Sequence, residues 1–156
     1  MKKLDVGQTL SIVGNVAVVA GILLLVFELN QNREMVMAQT RNEMSQGLIE
    51  ILLEIGNDSE DAGIYIRGNR REELSEIEAA RYELLTIAQL RYHENVFYQY
   101  RQGLYDESEY LGQREYWRNS VFADPGLVEV FCAIRSGFSA EFRDEIEELL
   151  VAYRCD

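Results

Sequence analysis

The densest run of polar and aromatic residues is Arg91-Tyr92-His93-Glu94-Asn95-Val96-Phe97-Tyr98-Gln99-Tyr100-Arg101. Glu94 is its most informative member. It falls on the helical line of Ile87, Leu90 and Phe97, where an apolar residue is expected. A carboxylate on such a face must be paired or neutralised. Arg91, three residues earlier, and Tyr98, four later, share its helix face. One chemistry that fits is a ligand pocket or proton-active site built on Glu94, His93 and Tyr98. The plainer one is a buried polar cluster of Arg91, His93, Glu94 and Tyr98 that satisfies itself and sets helix register.

Other chemistries find little support. His93 is the single histidine, and no HExxH or ExxH spacing surrounds it. Paired ExxH motifs, the mark of carboxylate-bridged metal bundles, do not occur. Cys132 and Cys155 stand 23 apart without a CxxC, so a zinc site is not expected. They are left open as free thiols or as a bridge. Neither a glycine-rich phosphate loop nor a GxSxG elbow is found. The expectation is no catalytic residue, no metal and no cofactor.

The composition agrees with that restraint. The chain has 156 residues, 47% hydrophobic and 27% charged, which suits one folded domain rather than a disordered tail. Its formal charge of -12 argues against nucleic acid as a partner, because phosphate binding needs a basic stripe. The acidic residues are spread over helix faces, as on a solvated surface.

The element that must place everything else lies at the start. Val6 to Phe27 carries no charge, between Asp5 and Glu28. At about 1.5 Å per residue, such a helix matches a hydrocarbon core of about 30 Å. A cleaved signal peptide would need small residues at a cut site, yet the run ends Leu25-Val26-Phe27-Glu28. A buried helix of a soluble core is the other rival. The favoured expectation is a retained transmembrane helix over 6–28, with the bilayer as its first partner. Gly7, Gly14 and Gly21 recur every seven residues, and Ala17 precedes Gly21 by four. Small residues let membrane helices approach closely, and an amide such as Asn15 can hydrogen-bond across the contact. Gly14, Asn15, Ala17 and Gly21 are therefore the expected packing face, toward another copy or a larger membrane protein. Lys2 and Lys3 on one side nearly balance Arg33 and Arg41 on the other, so charge does not set the orientation.

After residue 28 the pattern is helical throughout. Glu28 to Ile55 continues the first helix, with Met37, Met44, Leu48, Leu52 and Ile55 as its stripe. Gly56-Asn57-Asp58 stops it. A short helix is expected over Asp61–Arg67. Ser75-Glu76-Ile77-Glu78 is a capping box opening a helix that ends near Gly103. Its apolar line is Ile77, Ala80, Leu84, Ile87, Leu90, Phe97 and Leu104, with Tyr105, Tyr110, Tyr116 and Trp117 packed over it. Asp106–Glu109 opens the next helix, through about Val121. Asp124-Pro125 starts another, and Ser139 caps a last one carrying Phe142, Ile146, Leu149, Leu150 and Tyr153. The fold class is all-α: a long N-terminal helix, then a domain over 29–156 of four or five bundled helices.

Together these pieces resemble a widespread group of short bacterial membrane-anchored proteins of unknown function. The resemblance spans nearly the whole chain. It rests on "FELNQNRE", "RYHENVFYQYRQGLYDESEY", "ADPG" and "FSAEFRDEIEELL". The residues matching the group's central stretch are Glu94, Asn95, Tyr98, Gln99, Tyr100, Gly103, Leu104 and Asp106. It implies a bacterial inner-membrane protein, with a weak lean to a cytoplasmic bundle, and no activity. Lys2 and Lys3 depart from its usual N-terminus. The functional expectation is a non-enzymatic, single-pass, oligomeric scaffold or accessory subunit. The alternatives are a small-molecule sensor or enzyme around Glu94, or a pore lined by Gln8, Ser11, Asn15 and Glu28.

Overall fold

The computed structural model describes residues 6–150 and residue 155. The described chain forms six α-helices and no strand, so the all-α expectation holds. The helices are α1 (Val6–Gly56), α2 (Ser59–Asn69), α3 (Glu76–Arg101), α4 (Glu107–Tyr116), α5 (Pro125–Ile134) and α6 (Ala140–Leu149). Lys2, Lys3 and Tyr153 lie outside the described residues.

Two compact units divide between Ala38 and Gln39. In the first unit, α1 carries its apolar side chains in the open. An 18-residue window reaches a mean hydropathy of 2.6, with none of its residues buried. This is the one described helix long and apolar enough to cross a membrane.

The second unit is the helical domain. Thr40 and Met44 of α1 are buried, with Leu48 and Ile51 packed on the core. Tyr92 of α3 lies over Gly47, where a methyl would meet its ring at 3.5 Å. Leu52, expected in this stripe, is exposed. It sits one residue past Ile51, about 100° further round the helix.

Local signals set several helix ends, although α2 spans Ser59–Asn69 rather than the expected Asp61–Arg67 and Ser139 forms no side-chain cap. Asp58 accepts from the Glu60 N–H at 2.7 Å and opens α2. The Ser75 box forms in both directions, at 3.4 Å to the Glu78 N–H and 2.8 Å from the Ser75 N–H to Glu78. Arg67 and the box together hold the Glu78 carboxyl down at about 2. Asp106 accepts from the N–H groups of Ser108 and Glu109. After α3 the chain turns through Gly103 at φ 69°, a left-handed conformation that suits glycine.

Three expectations need correction. The N-terminal part of the α3 apolar line faces solvent: Ile77 is 81% and Leu84 68% exposed. The buried line is Tyr82, Thr86, Leu90, His93 and Phe97, rotated round the same helix. Tyr116, expected in the aromatic wall, is exposed, whereas Tyr110 and Trp117 are buried. The helix expected to run regularly to Val121 widens at Trp117–Val121, where the Phe122 N–H reaches the Trp117 carbonyl at 2.8 Å. This π turn carries Trp117 into the core beside Phe131, Phe142, Leu127 and Ile146.

Candidate functional site

The polar run of α3 resolves into two unconnected environments. Arg91 and Glu94 stay together, with guanidinium and carboxylate 2.6 Å apart. They reach outward to the turn before α6. Glu94 accepts from the Ser139 N–H at 2.9 Å, and Arg91 donates to the Gly137 carbonyl at 3.1 Å. The Arg91 guanidinium also lies 4.3 Å over the Phe138 ring. The pair clasps three consecutive residues of one turn. Ser139 makes no side-chain cap, so the carboxylate engaging the N-terminus of α6 comes from Glu94 on a distant helix. That explains a carboxylate on an otherwise apolar line.

His93 follows a different path, because adjacent helical residues point about 100° apart. It is 1% exposed, among the rings of Trp117 at 4.6 Å, Tyr92 at 5.4 Å and Phe122 at 6.3 Å. Neither ring nitrogen has a protein hydrogen-bond partner, nor does Trp117 Nε1. Burial pushes the His93 pKa down to about 3, so the imidazole is neutral at physiological pH. Tyr98 is 56% exposed on another side. The single buried cluster expected of Arg91, His93, Glu94 and Tyr98 is therefore not assembled. Arg91 and Glu94 form a half-exposed clasp, His93 is core, and Tyr98 faces solvent.

A second ion-paired knot joins α4 to α6. Arg114 and Glu145 are both mostly buried and 2.5 Å apart, and the Tyr110 hydroxyl donates to Glu145 at 2.7 Å. Burial and this carboxylate both raise the Tyr110 pKa, so the phenol remains the donor.

Gly14, Asn15, Ala17 and Gly21 are all exposed. A methyl at Gly14 or Gly21 would meet nothing within 4 Å. Asn15 lies at a shallow hollow with Val16, Val19, Ala20 and Leu23.

The most constructed region went unmarked in the sequence. The end of α2 and the start of α5 meet at two glycines, where a methyl on Gly126 would lie 2.0 Å from the Gly68 carbonyl oxygen. A methyl on Gly68 would lie 2.3 Å from the Tyr82 ring. Tyr82 donates to Asn69 at 2.8 Å, and Asn69 donates to Asp124 at 3.1 Å. Asp124, expected at the α5 start, makes no side-chain cap there because Asn69 engages it; burial raises its pKa. Gly68-Asn69 and Asp124-Pro125-Gly126 read locally as a turn and a start. Their pairing is a long-range event. Beside this junction lies an open groove of about 490 Å³ between α3 and α5.

Cys132 of α5 and Cys155 are bridged, with Cα atoms 5.2 Å apart. This closes the alternative that sequence left open. Among the described residues, no group of three or more His, Cys, Asp or Glu is placed to hold a metal ion. No protein-family model, curated protein or solved structure matches the chain.

Proposed function

We propose that this chain is a non-enzymatic, single-pass membrane protein that acts as an oligomeric scaffold or accessory subunit of a membrane complex. The observation that carries the proposal is the uncharged run from Val6 to Phe27, every residue of which is exposed within α1. In water that surface would be a large uncovered apolar patch, whereas in a bilayer it is solvated. Within lipid, Asn15 then needs a hydrogen-bond partner from another helix. Gly14, Ala17 and Gly21 allow that helix to come close. The rival reading as a sensor or enzyme around Glu94 loses its support, because Glu94, His93 and Tyr98 diverge.

The cystine favours a side. Disulfides persist in oxidising compartments and are rare in the reducing cytosol. The cystine supports a reading in which the bundle lies on the extracytoplasmic face of a bacterial inner membrane, in place of the cytoplasmic lean above.

The test is the native mass of the detergent-extracted protein, measured with its membrane companions retained. A defined oligomer that falls apart with Asn15→Leu and Gly21→Leu together supports self-assembly. Co-purification with a larger partner at fixed ratio supports the accessory role. A lone monomer at every concentration sinks the proposal. Thiol labelling of intact cells before and after reduction reads the side.

A further inference from the structure

Beyond the apolar run, α1 has an inner and an outer side. Between Gln39 and Gly56 it turns Thr40, Met44, Leu48 and Ile51 toward the core of its own domain. At about 100° per residue, its outer side carries Asn42, Ser45, Gln46, Ile49, Leu52 and Leu53. All six are exposed, Ile49 to 54% and Leu52 to 55%. Their spacing is that of a coiled-coil seam, with Asn42 and Ile49 at a positions and Ser45 and Leu52 at d positions. Glu43, Glu50 and Glu54 fall off this seam, at b and f positions. In the sequence, Asn42 and Ile49 also continue the seven-residue series of Gly7, Gly14 and Gly21, through Glu28 and Met35. Glu28, the one charged member of that series, ends the uncharged run.

We propose that this face binds a second copy of the chain, α1 against α1, parallel and in register. The proposal deepens the oligomeric reading and rests on α1 being a membrane anchor, which would hold two copies the same way up in one bilayer. Self-complementarity chooses the occupant. About a two-fold axis each seam position meets itself, so Ile49 meets Ile49 and Leu52 meets Leu52. The two Asn42 amides can each donate to and accept from the other. An asparagine at an a position is a cost in a plain apolar contact, whereas between identical helices it fixes register. Charge agrees with this choice. No like charges oppose each other from Asn42 to Leu53, because the flanking Arg41 would face Gln46 of the other copy. Arg41 is also neutralised within its own chain by Glu109 at 2.6 Å. On a chain of formal charge -12, this is a face along which two copies approach without acid meeting acid. A seam of two heptads is short, and shared anchorage raises the effective concentration that holds it.

The experiment uses the full chain in the membranes of the cells that express it, as two co-expressed copies with different tags. A benzophenone side chain replaces Asn42, Ile49 or, as the off-seam control, Glu54. Illumination is expected to join the two tagged copies from positions 42 and 49, and severalfold less from position 54. Ile49→Glu with Leu52→Glu places like charges against each other, and should cut the position-42 product about tenfold. Both side chains are already exposed, so the thermal midpoint of that variant should not move. Cross-linking from 42 and 49 to a protein of another mass overturns the proposal, as does an equal product from position 54 or an undiminished one in the double Glu variant. A native mass showing an oligomer whose positions 42 and 49 do not cross-link overturns the seam and leaves the oligomeric reading standing. Recovery of the chain outside the membrane fraction overturns the anchor, and with it the parallel pairing.

Discussion

Acidification from pH 7 to pH 5 should weaken the helical domain by about 2 kcal/mol through His93 alone. In the unfolded chain this imidazole titrates near its ordinary value of about 6.5. In the folded chain burial lowers its pKa to about 3, and no acidic side chain is bonded to it. Between those two values the unfolded state binds a proton that the native state refuses, so stability falls as pH falls. The slope is about 1.4 kcal/mol per pH unit, and the part between pH 7 and 5 integrates to about 2 kcal/mol. The loss would be about 4 kcal/mol by pH 3 and is complete only below it. The upper window is the useful one, because the reference values of carboxylates, about 4, lie below it. Trp117 is the single tryptophan, and its ring lies 4.6 Å from that of His93, so its emission reports on this site. Urea unfolding in micelles at pH 7, 6 and 5 gives the slope. His93→Phe keeps a flat ring in the aromatic nest, and its pH dependence over this range should be smaller by the same 2 kcal/mol or so. Equal pH dependence in the parent chain and His93→Phe would refute a neutral buried imidazole.

Two further outcomes follow from the geometry. Glu94→Ala should cost about 1–2 kcal/mol by releasing the Ser139 N–H and the Arg91 clasp, with faster amide exchange at 137–139, whereas Tyr98→Phe should stay within about 0.5 kcal/mol. Equal losses from both would restore the pocket reading. Gly126→Ala should destabilise by about 3 kcal/mol, since the methyl would collide with the Gly68 carbonyl at 2.0 Å. Gly63→Ala, in the interior of α2 with nothing within 4 Å, should instead stabilise by about 0.5–1 kcal/mol. Thermal unfolding measures both, and a neutral Gly126→Ala would contradict the close α2–α5 approach.

What could be read from the chain alone was whatever a few consecutive residues decide. The Ser75 box, the Asp106 cap, the Pro125 start and the Gly103 turn each depend on bonds within one helical turn, so their residue types announce them. The uncharged run before Glu28 was equally plain, because its composition needs no partner to be recognised. Which face of α3 turns inward was not plain. One line runs Ile77, Leu84 and Leu90, and another Tyr82, Thr86, Leu90 and His93; both are helical, and they converge at Leu90 and Phe97. Only packing against α2 and α5 selects the second, placing Tyr82 under Gly68 and leaving Leu84 in the open. The same holds for Glu94, an anomaly on its own helix until the turn at Gly137–Ser139 is brought against it from 45 residues away. The Ser75 and Asp106 caps and the uncharged run are short-range chemistry, written in neighbouring residues. The clasp, the neutral histidine, the paired glycines, the cystine and the groove each join residues far apart in sequence, and only the folded chain determines which of them meet.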